Sequence, residues 1–298
     1  MRFRSVYLSG KILAISALFF TTSCKKDIGN SLKSDDAAAA SISDSSTVAD
    51  NAYNDVFVNA YYGYSDNLLT GGSGVLRQGG TTTNAVGVMN HIYLSCASYT
   101  VDTTQGTGYP ITLTLDFGAD GCSNSIDSIR RQGKIIYVFT GPLVLPGSSV
   151  SATFDHYFVN GYGLQGSCTI TNTTTLAGFS FTSQVSNGIF TFPDLTNFHY
   201  SGNKTITLTA GSGTPYNVLD DVYSITGNSN FSASDGTSLV STVSTPLTKA
   251  FICPYVSAGV ISFVFNQSLN GTIDFGDGTC DHSAELAVGS ITRQINLR

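Results

Sequence analysis

Two phrases place carboxylates, glycine and cysteine at matching spacing: "LDFGADGC" from Leu115 to Cys122 and "IDFGDGTC" from Ile273 to Cys280. Two chemistries are open to them. Asp274, Asp277 and Asp281, like Asp116 and Asp120, put oxygen donors on tight glycine turns, which a hard cation such as calcium favours. Neither stretch has the Asp-x-Asp-x-Asp-Gly spacing with a closing glutamate, and Asp-Gly pairs also form ordinary turns. The kinase Asp-Phe-Gly is no parallel, because its glycine-rich loop, strand lysine and catalytic loop are missing. The second chemistry is thiol oxidation. Cys96 and Cys122 are 26 residues apart and Cys253 and Cys280 are 27 apart. In each pair the second cysteine lies six positions after the Asp of Asp-Phe-Gly. The spacing predicts two disulfides, Cys96 to Cys122 and Cys253 to Cys280, each stapling an adjacent strand pair in an oxidising compartment. Cys168 is left over, as a small buried apolar group.

Other reactive residue types form no recognised constellation. His91, His156, His199 and His282 are each alone locally, outside any metal-ligand pattern. Asp155–His156 and Asp281–His282 are sequence neighbours, and neighbours on a strand point to opposite faces. No Gly-x-Ser-x-Gly elbow marks a nucleophile. Glu285 is the single glutamate, so no carboxylate pair suggests glycoside hydrolysis. Arg130, Arg131 and Lys134 make a basic spot that could meet an acidic glycan or a lipid head group, or simply guard a strand entry. Many tyrosines fall near turns, where a ring can stack on a sugar, though Tyr is also a good strand residue.

The elements that position these residues follow a secretory leader. Arg2, Arg4 and Lys11 precede the apolar run "ILAISALFF", which ends in "TTSC". The run is shorter than the ~20 residues a bilayer span needs. Residues 1–24 therefore read as a signal peptide closing in a lipobox-like cysteine, with Cys24 carrying acyl chains that hold the chain on a membrane. All 20 acidic residues follow Cys24 and three of the 14 basic residues precede it, which leaves the later chain at −9. Such an acidic surface excludes a phosphate-backbone partner, and nucleic acid with it.

Residues 25–46 offer little to bury and read as a flexible tether. Over 47–69, Val48, Ala52, Val56 and Ala60 recur at i+4 beside Tyr53, Phe57 and Tyr61, predicting one helix packed on a sheet through an aromatic stripe. Beyond Gly71 the period becomes two. Runs such as "ITLTLDF", "KIIYVFTG", "SVSATFDHYFV" and "VISFVFNQ" are separated by turn pairs at Asn160–Gly161, Asn187–Gly188, Asp235–Gly236 and Asn270–Gly271. Short turns between consecutive strands require antiparallel pairing. The predicted fold is all-β: a long antiparallel meander over 92–298, forming a curved sheet, sandwich or partial barrel, with one N-terminal helix packed on it. The 96–122 and 253–280 units suggest an internal duplication.

The lipobox, the stretch from Ser128 to Asn172 and the closing "TIDFGDGTCDHSAELAVGSITRQINLR" resemble a group of Bacteroidota lipoproteins. That group shows an Arg-x-Gly-Lys-Ile strand, a Val-Asn-Gly hairpin and a terminal Asp-Phe-Gly-Asp-Gly-Thr-Cys. Arg131, Gly133, Lys134, Val159, Asn160 and Gly161 hold the matching positions. The resemblance implies a secreted, lipid-anchored β protein and brings no catalytic residues. Asp-Thr-Thr and Asp-Ser-Ile resemble exported O-glycosylation sites, marking Thr103 and Ser128. Lys25 is not the Asp that retains enterobacterial lipoproteins at the inner membrane, so the outer membrane is expected. The function read from the sequence is a non-catalytic, lipid-anchored envelope protein that binds a glycan or another envelope component. A fimbrillin-like adhesive subunit that adds strands at an open edge and a hydrolase with an unrecognised site are the alternatives. Calcium is the one cofactor the residues suggest.

Overall fold

The computed structural model describes residues 28–63, 85–88, 94–102, 108–123, 128–214 and 218–297. A helix, α1 (Ile28–Gly63), precedes an antiparallel meander. The meander opens with β1 (Ala85–Val88), β2 (Ser98–Asp102), β3 (Ile111–Asp116) and the two-residue β4 (Cys122–Ser123). It continues with β5 (Arg130–Phe139), β6 (Ser149–Val159), β7 (Tyr162–Asn172), β8 (Ser180–Thr191) and β9 (Asn197–Ala210). It ends with β10 (Val222–Ala233), β11 (Ser238–Ala250), β12 (Ala258–Phe265), β13 (Leu269–Asp277), β14 (Ser283–Val288) and β15 (Ile291–Asn296). Each strand pairs with the next in sequence, except that β3 pairs directly with β5 and β4 lies off the path beside β5. β1 and β15 do not pair, so the sheet is open and not a barrel.

Alternation decides which sheet face is buried. In β3 and β12 every second residue is buried, and the same period runs through most of β5. These residues face α1, which touches strands from both flanks. Tyr137 of β5 donates its hydroxyl to Val56 O at 2.9 Å, Tyr53 donates to Gln165 O of β7 at 2.9 Å, and Phe57 meets Phe181 of β8 and Tyr223 of β10 edge-on. At the other flank Ser290 and Arg293 reach Asp36 and Asp44. The sheet thus curls around one helix. Val48, Ala52, Tyr53, Val56, Phe57 and Ala60 are all buried, so the aromatic stripe is core. Each such large side chain contributes about 1.5–3 kcal/mol on burial.

Three expectations are corrected. The helix starts at Ile28, not at residue 47, and 28–46 is no flexible tether. Ala37 to Ala40 are strong helix formers, and Ala39, Ala40, Ser43 and Ser46 are buried. Ser43, Ser46 and Thr47 return their hydroxyls to carbonyls three or four residues back, so they are buried without an unmet donor. Asp36 fixes this segment: its Oδ2 accepts both the backbone N–H and the hydroxyl of Ser290 at 2.8 Å. A Cβ at Gly289 would overlap that carboxylate. Composition read this stretch as linker because its partner lies at the far end of the chain. The second correction concerns turns. Asn160–Gly161 and Asp235–Gly236 do connect strands, but Asn187–Gly188 lies inside β8 at a register shift and Asn270–Gly271 lies inside β13. Asn187 has positive φ, which a β-bulge uses as readily as a hairpin does. Third, Asp155 and His156 do meet, Oδ1 to Nδ1 at 2.6 Å, on an exposed surface. The β6–β7 register shifts between Thr153 and Tyr157 and His156 has positive φ, so alternation fails there.

Candidate functional site

The repeated Asp-Phe-Gly phrase is architecture. Phe117 and Phe275 are buried, while Asp116 Oδ1 and Asp274 Oδ1 each accept the N–H of the following glycine, Gly118 and Gly276, at 2.9 Å. Both copies close the same side-chain turn, the first where β3 ends and the second near the end of β13, where its register with β12 shifts. Cys96 bonds to Cys122 and Cys253 to Cys280, with Cα–Cα distances of 5.9 and 5.8 Å. The first bond closes the open end of the β2–β3 hairpin and the second that of β12–β13. Cys168 is free and buried, 3.5 Å from Ser183 Oγ, and burial pushes its thiol up to about 11.

The carboxylates proposed for calcium are occupied with turns. Asp277 Oδ1 accepts from Thr279 N and Oγ1, and Asp281 Oδ1 from Ser283 N. The Thr279 hydroxyl, then its N–H, holds the Asp277 carboxyl below the usual range. Among the described residues no group of three or more His, Cys, Asp or Glu is arranged to hold a metal ion.

The expected basic patch is split. Arg131 points into the protein, 2% exposed, and grips Asp55 of α1 through Nε at 2.9 Å and a second guanidinium nitrogen at 2.5 Å. β5 alternates, so Arg130 faces out and donates to Asp120 O. Lys134 lies half-exposed on the surface and pairs with the half-buried Asp116 at 3.2 Å. Ser128 is exposed just before β5, whereas Cys24, Thr103 and His91 lie outside the described residues.

What the structure assembles instead is a polar row on α1. Asn51, Asp55 and Asn59 recur at i+4, each one position before Ala52, Val56 and Ala60 of the apolar stripe. They therefore run along the flank of the buried face. Asp55 also accepts from Asn59 Nδ2 at 2.8 Å and from the Tyr157 hydroxyl at 3.2 Å. Burial first, then the Asp55 charge, pushes the Tyr157 phenol well up, so it stays a donor. One turn earlier, Asp50 takes the Tyr200 hydroxyl, Ser229 Oγ at 3.3 Å and Lys204 Nζ at 3.6 Å. Tyr53 stacks on Tyr200 with ring centroids 4.6 Å apart.

Over this row lies a cleft of about 110 Å³. Its floor is Asn51, Asn54 and Asp55; Ser128, Asn160 and Tyr162 form one wall, and Lys249 and the segment from Phe251 to Tyr255 form the other. Lys249 is mostly buried and donates to Cys253 O, inside the loop that the second disulfide ties down. Two amide atoms remain buried without a hydrogen-bond partner: Asn51 Nδ2, which belongs to the cleft floor, and Asn59 Oδ1 beside Asp55. A buried amide group without a partner costs about 1–3 kcal/mol. The Asn51 nitrogen is covered, so a ligand hydroxyl or carbonyl would recover the cost once the Asn51 amide turns toward the cleft. The cleft thus offers amides, a phenol and apolar edges, the chemistry of hydrogen bonding and ring contact. The sequence signal that could have found it is the i+4 recurrence of Asn51, Asp55 and Asn59 beside the stripe. No protein-family model, curated protein or solved structure matches this chain.

Proposed function

We propose that this chain is a lipid-anchored cell-envelope protein of the outer membrane, held by acyl chains on Cys24, whose curled sheet binds a neutral glycan in the cleft over α1. The observation that carries the binding reading is the unpartnered Asn51 amide in a cleft lined by Asn54, Ser128, Asn160, Tyr162 and apolar edges, whose two charged residues, Asp55 and Lys249, are engaged by Arg131 and by Cys253 O. Sugars present hydroxyls for amides and a C–H face for rings. The charged leader, short apolar run and terminal cysteine support the anchor. Among the described residues no helix is long and apolar enough to cross a membrane.

The test is a neutral-glycan array probed with purified protein, followed by calorimetry on any hit. Binding that falls at least about tenfold in Asn51→Leu, equivalent to about 1.4 kcal/mol, supports the reading. Binding unaffected by Asn51→Leu and by Tyr162→Ala would remove the cleft from consideration. One observation favours a second reading, the fimbrillin-like subunit: β15 pairs only with β14 among the described residues, leaving six residues of open edge. Filaments or strand-exchanged oligomers of purified protein would select it.

A further inference from the structure

The connections 140–148 and 173–179 lie side by side, because β6 and β7 pair with Ser149 opposite Thr171. They carry exposed large apolar side chains at their tips: Val144 and Leu145 on the first, Leu176 and Phe179 on the second. Leu176 is fully exposed. Neither connection contains a charged residue. Across the surrounding strands Asp155 is the one Asp, Glu, Lys or Arg between Lys134 and Asp194, in a chain that is otherwise acidic. Leu219 and Ile252, on the connections that follow at the same sheet end, continue the row.

Much of the backbone of these connections is already paired. Leu145 N–H donates to Pro142 O at 2.9 Å, Ser148 N–H to Leu145 O at 3.1 Å and Gly147 N–H to Asn172 O at 2.8 Å. Gly178 N–H donates to Thr175 O at 3.1 Å, and Asn172 Nδ2 caps Leu143 O at 2.8 Å. Pro142 and Pro146 bring no donor. Such pairing lowers the cost of entering lipid, where an unpaired backbone group costs several kcal/mol, and suits the rim to the hydrated interfacial layer and not the hydrocarbon core. A charged protein partner would find no complement on so neutral a surface, and a tightly packed one would need a continuous patch instead of separate tips.

We infer that the connections 140–148 and 173–179 form a lipid-docking rim that inserts Val144, Leu145, Leu176 and Phe179 into the interfacial layer of a bilayer. The rim is separate from acylation at Cys24, and the inference stands whether or not that cysteine is lipidated. Because the rim is uncharged, docking is hydrophobic and insensitive to salt.

The test uses the full chain carrying Cys24→Ser, with an environment-sensitive fluorophore on Ala177→Cys at the rim, or on Ser234→Cys in the β10–β11 turn at the opposite sheet end. Cys168 is buried and escapes labelling. On neutral phosphatidylcholine vesicles the emission at 177 is expected to shift to the blue and the emission at 234 to stay unchanged, with no loss in about 0.5 M salt, where the screening length is a few ångströms. Leu145→Asp with Leu176→Asp is expected to weaken partition by about tenfold or more. These side chains are exposed, so the variant keeps its fold, checked by circular dichroism. Equal shifts at both sites, no shift at 177, or a shift that appears without vesicles as protein concentration rises would each overturn the inference, the last in favour of self-association.

Discussion

Removing the Arg131 guanidinium is the sharpest test of how the sheet holds its helix. Arg131 and Asp55 are both almost fully buried and joined by two nitrogen–oxygen contacts of 2.9 and 2.5 Å. In Arg131→Met the chain stem is kept and the charge is lost, leaving a carboxylate sealed beneath the sheet. Breaking a buried pair from one side costs about 3–5 kcal/mol, against about 0–1 for an exposed pair. For a chain of this size each kcal/mol lowers Tm by roughly 2–4 °C, so the midpoint should fall by about 10 °C. Asp55→Asn in the same background removes the orphaned charge and keeps an acceptor for the Tyr157 hydroxyl. The double variant is therefore expected to recover about 2 kcal/mol or more relative to the sum of the single losses. Urea denaturation of the four proteins in the cycle gives the coupling energy. Lys134→Met is the control, since the Lys134–Asp116 pair is open to solvent and should register less than about 1 kcal/mol. A cost for Arg131→Met no larger than the Lys134 control, or single losses that simply add, would refute the buried pair as the fastening of α1.

Three further outcomes are expected. Gly133→Ala places a Cβ 1.9 Å from His156 O at positive φ and should cost roughly 2–4 kcal/mol in denaturant melts, whereas Gly147→Ala, equally positive in φ but open in space, should cost about 1–2. Thiol titration of the unreduced chain should find Cys168 silent in the native state at neutral pH and reactive once unfolded, because a buried thiol raised to about 11 is neutral and covered; prompt native labelling would contradict its placement. Asp36→Asn should speed hydrogen exchange over 36–46. The Ser290 N–H and hydroxyl hold the Asp36 carboxyl below its ordinary 3.8, so its contribution is present above that value and is lost as pH falls through the lowered folded value. The variant and the natural chain should therefore converge in acid.

Much of the architecture was legible locally. Alternating runs foretold an antiparallel meander, since period two fixes which face each residue takes and short turns fix the direction of the next strand. The helical stripe from Val48 to Ala60 was legible for the same reason at period 3.6. The cysteine pairs were legible because Asp-Phe-Gly marks the same strand end twice. The early helix was not, because Ala37 to Ala40 form an unbroken run and Ser43 and Ser46 are polar, so no large side chain at helical period marks a buried face, and the segment is ordered by Ser290 and by strands at the far end of the chain. Nor was the inward turn of Arg131: three basic residues in a short stretch look like a surface patch until strand alternation and the facing Asp55 separate them.

By itself, then, the sequence determined the strand order, the staples and the apolar face of one helix, since each depends on residues near one another or on a repeated phrase. Only the tertiary structure decided that the sheet curls around that helix, that Asn51, Asn54 and Asp55 floor a cleft, and that the neutral connections share one end. Those arrangements depend on accumulated strand twist and on contacts between residues far apart in the chain, which no local period encodes.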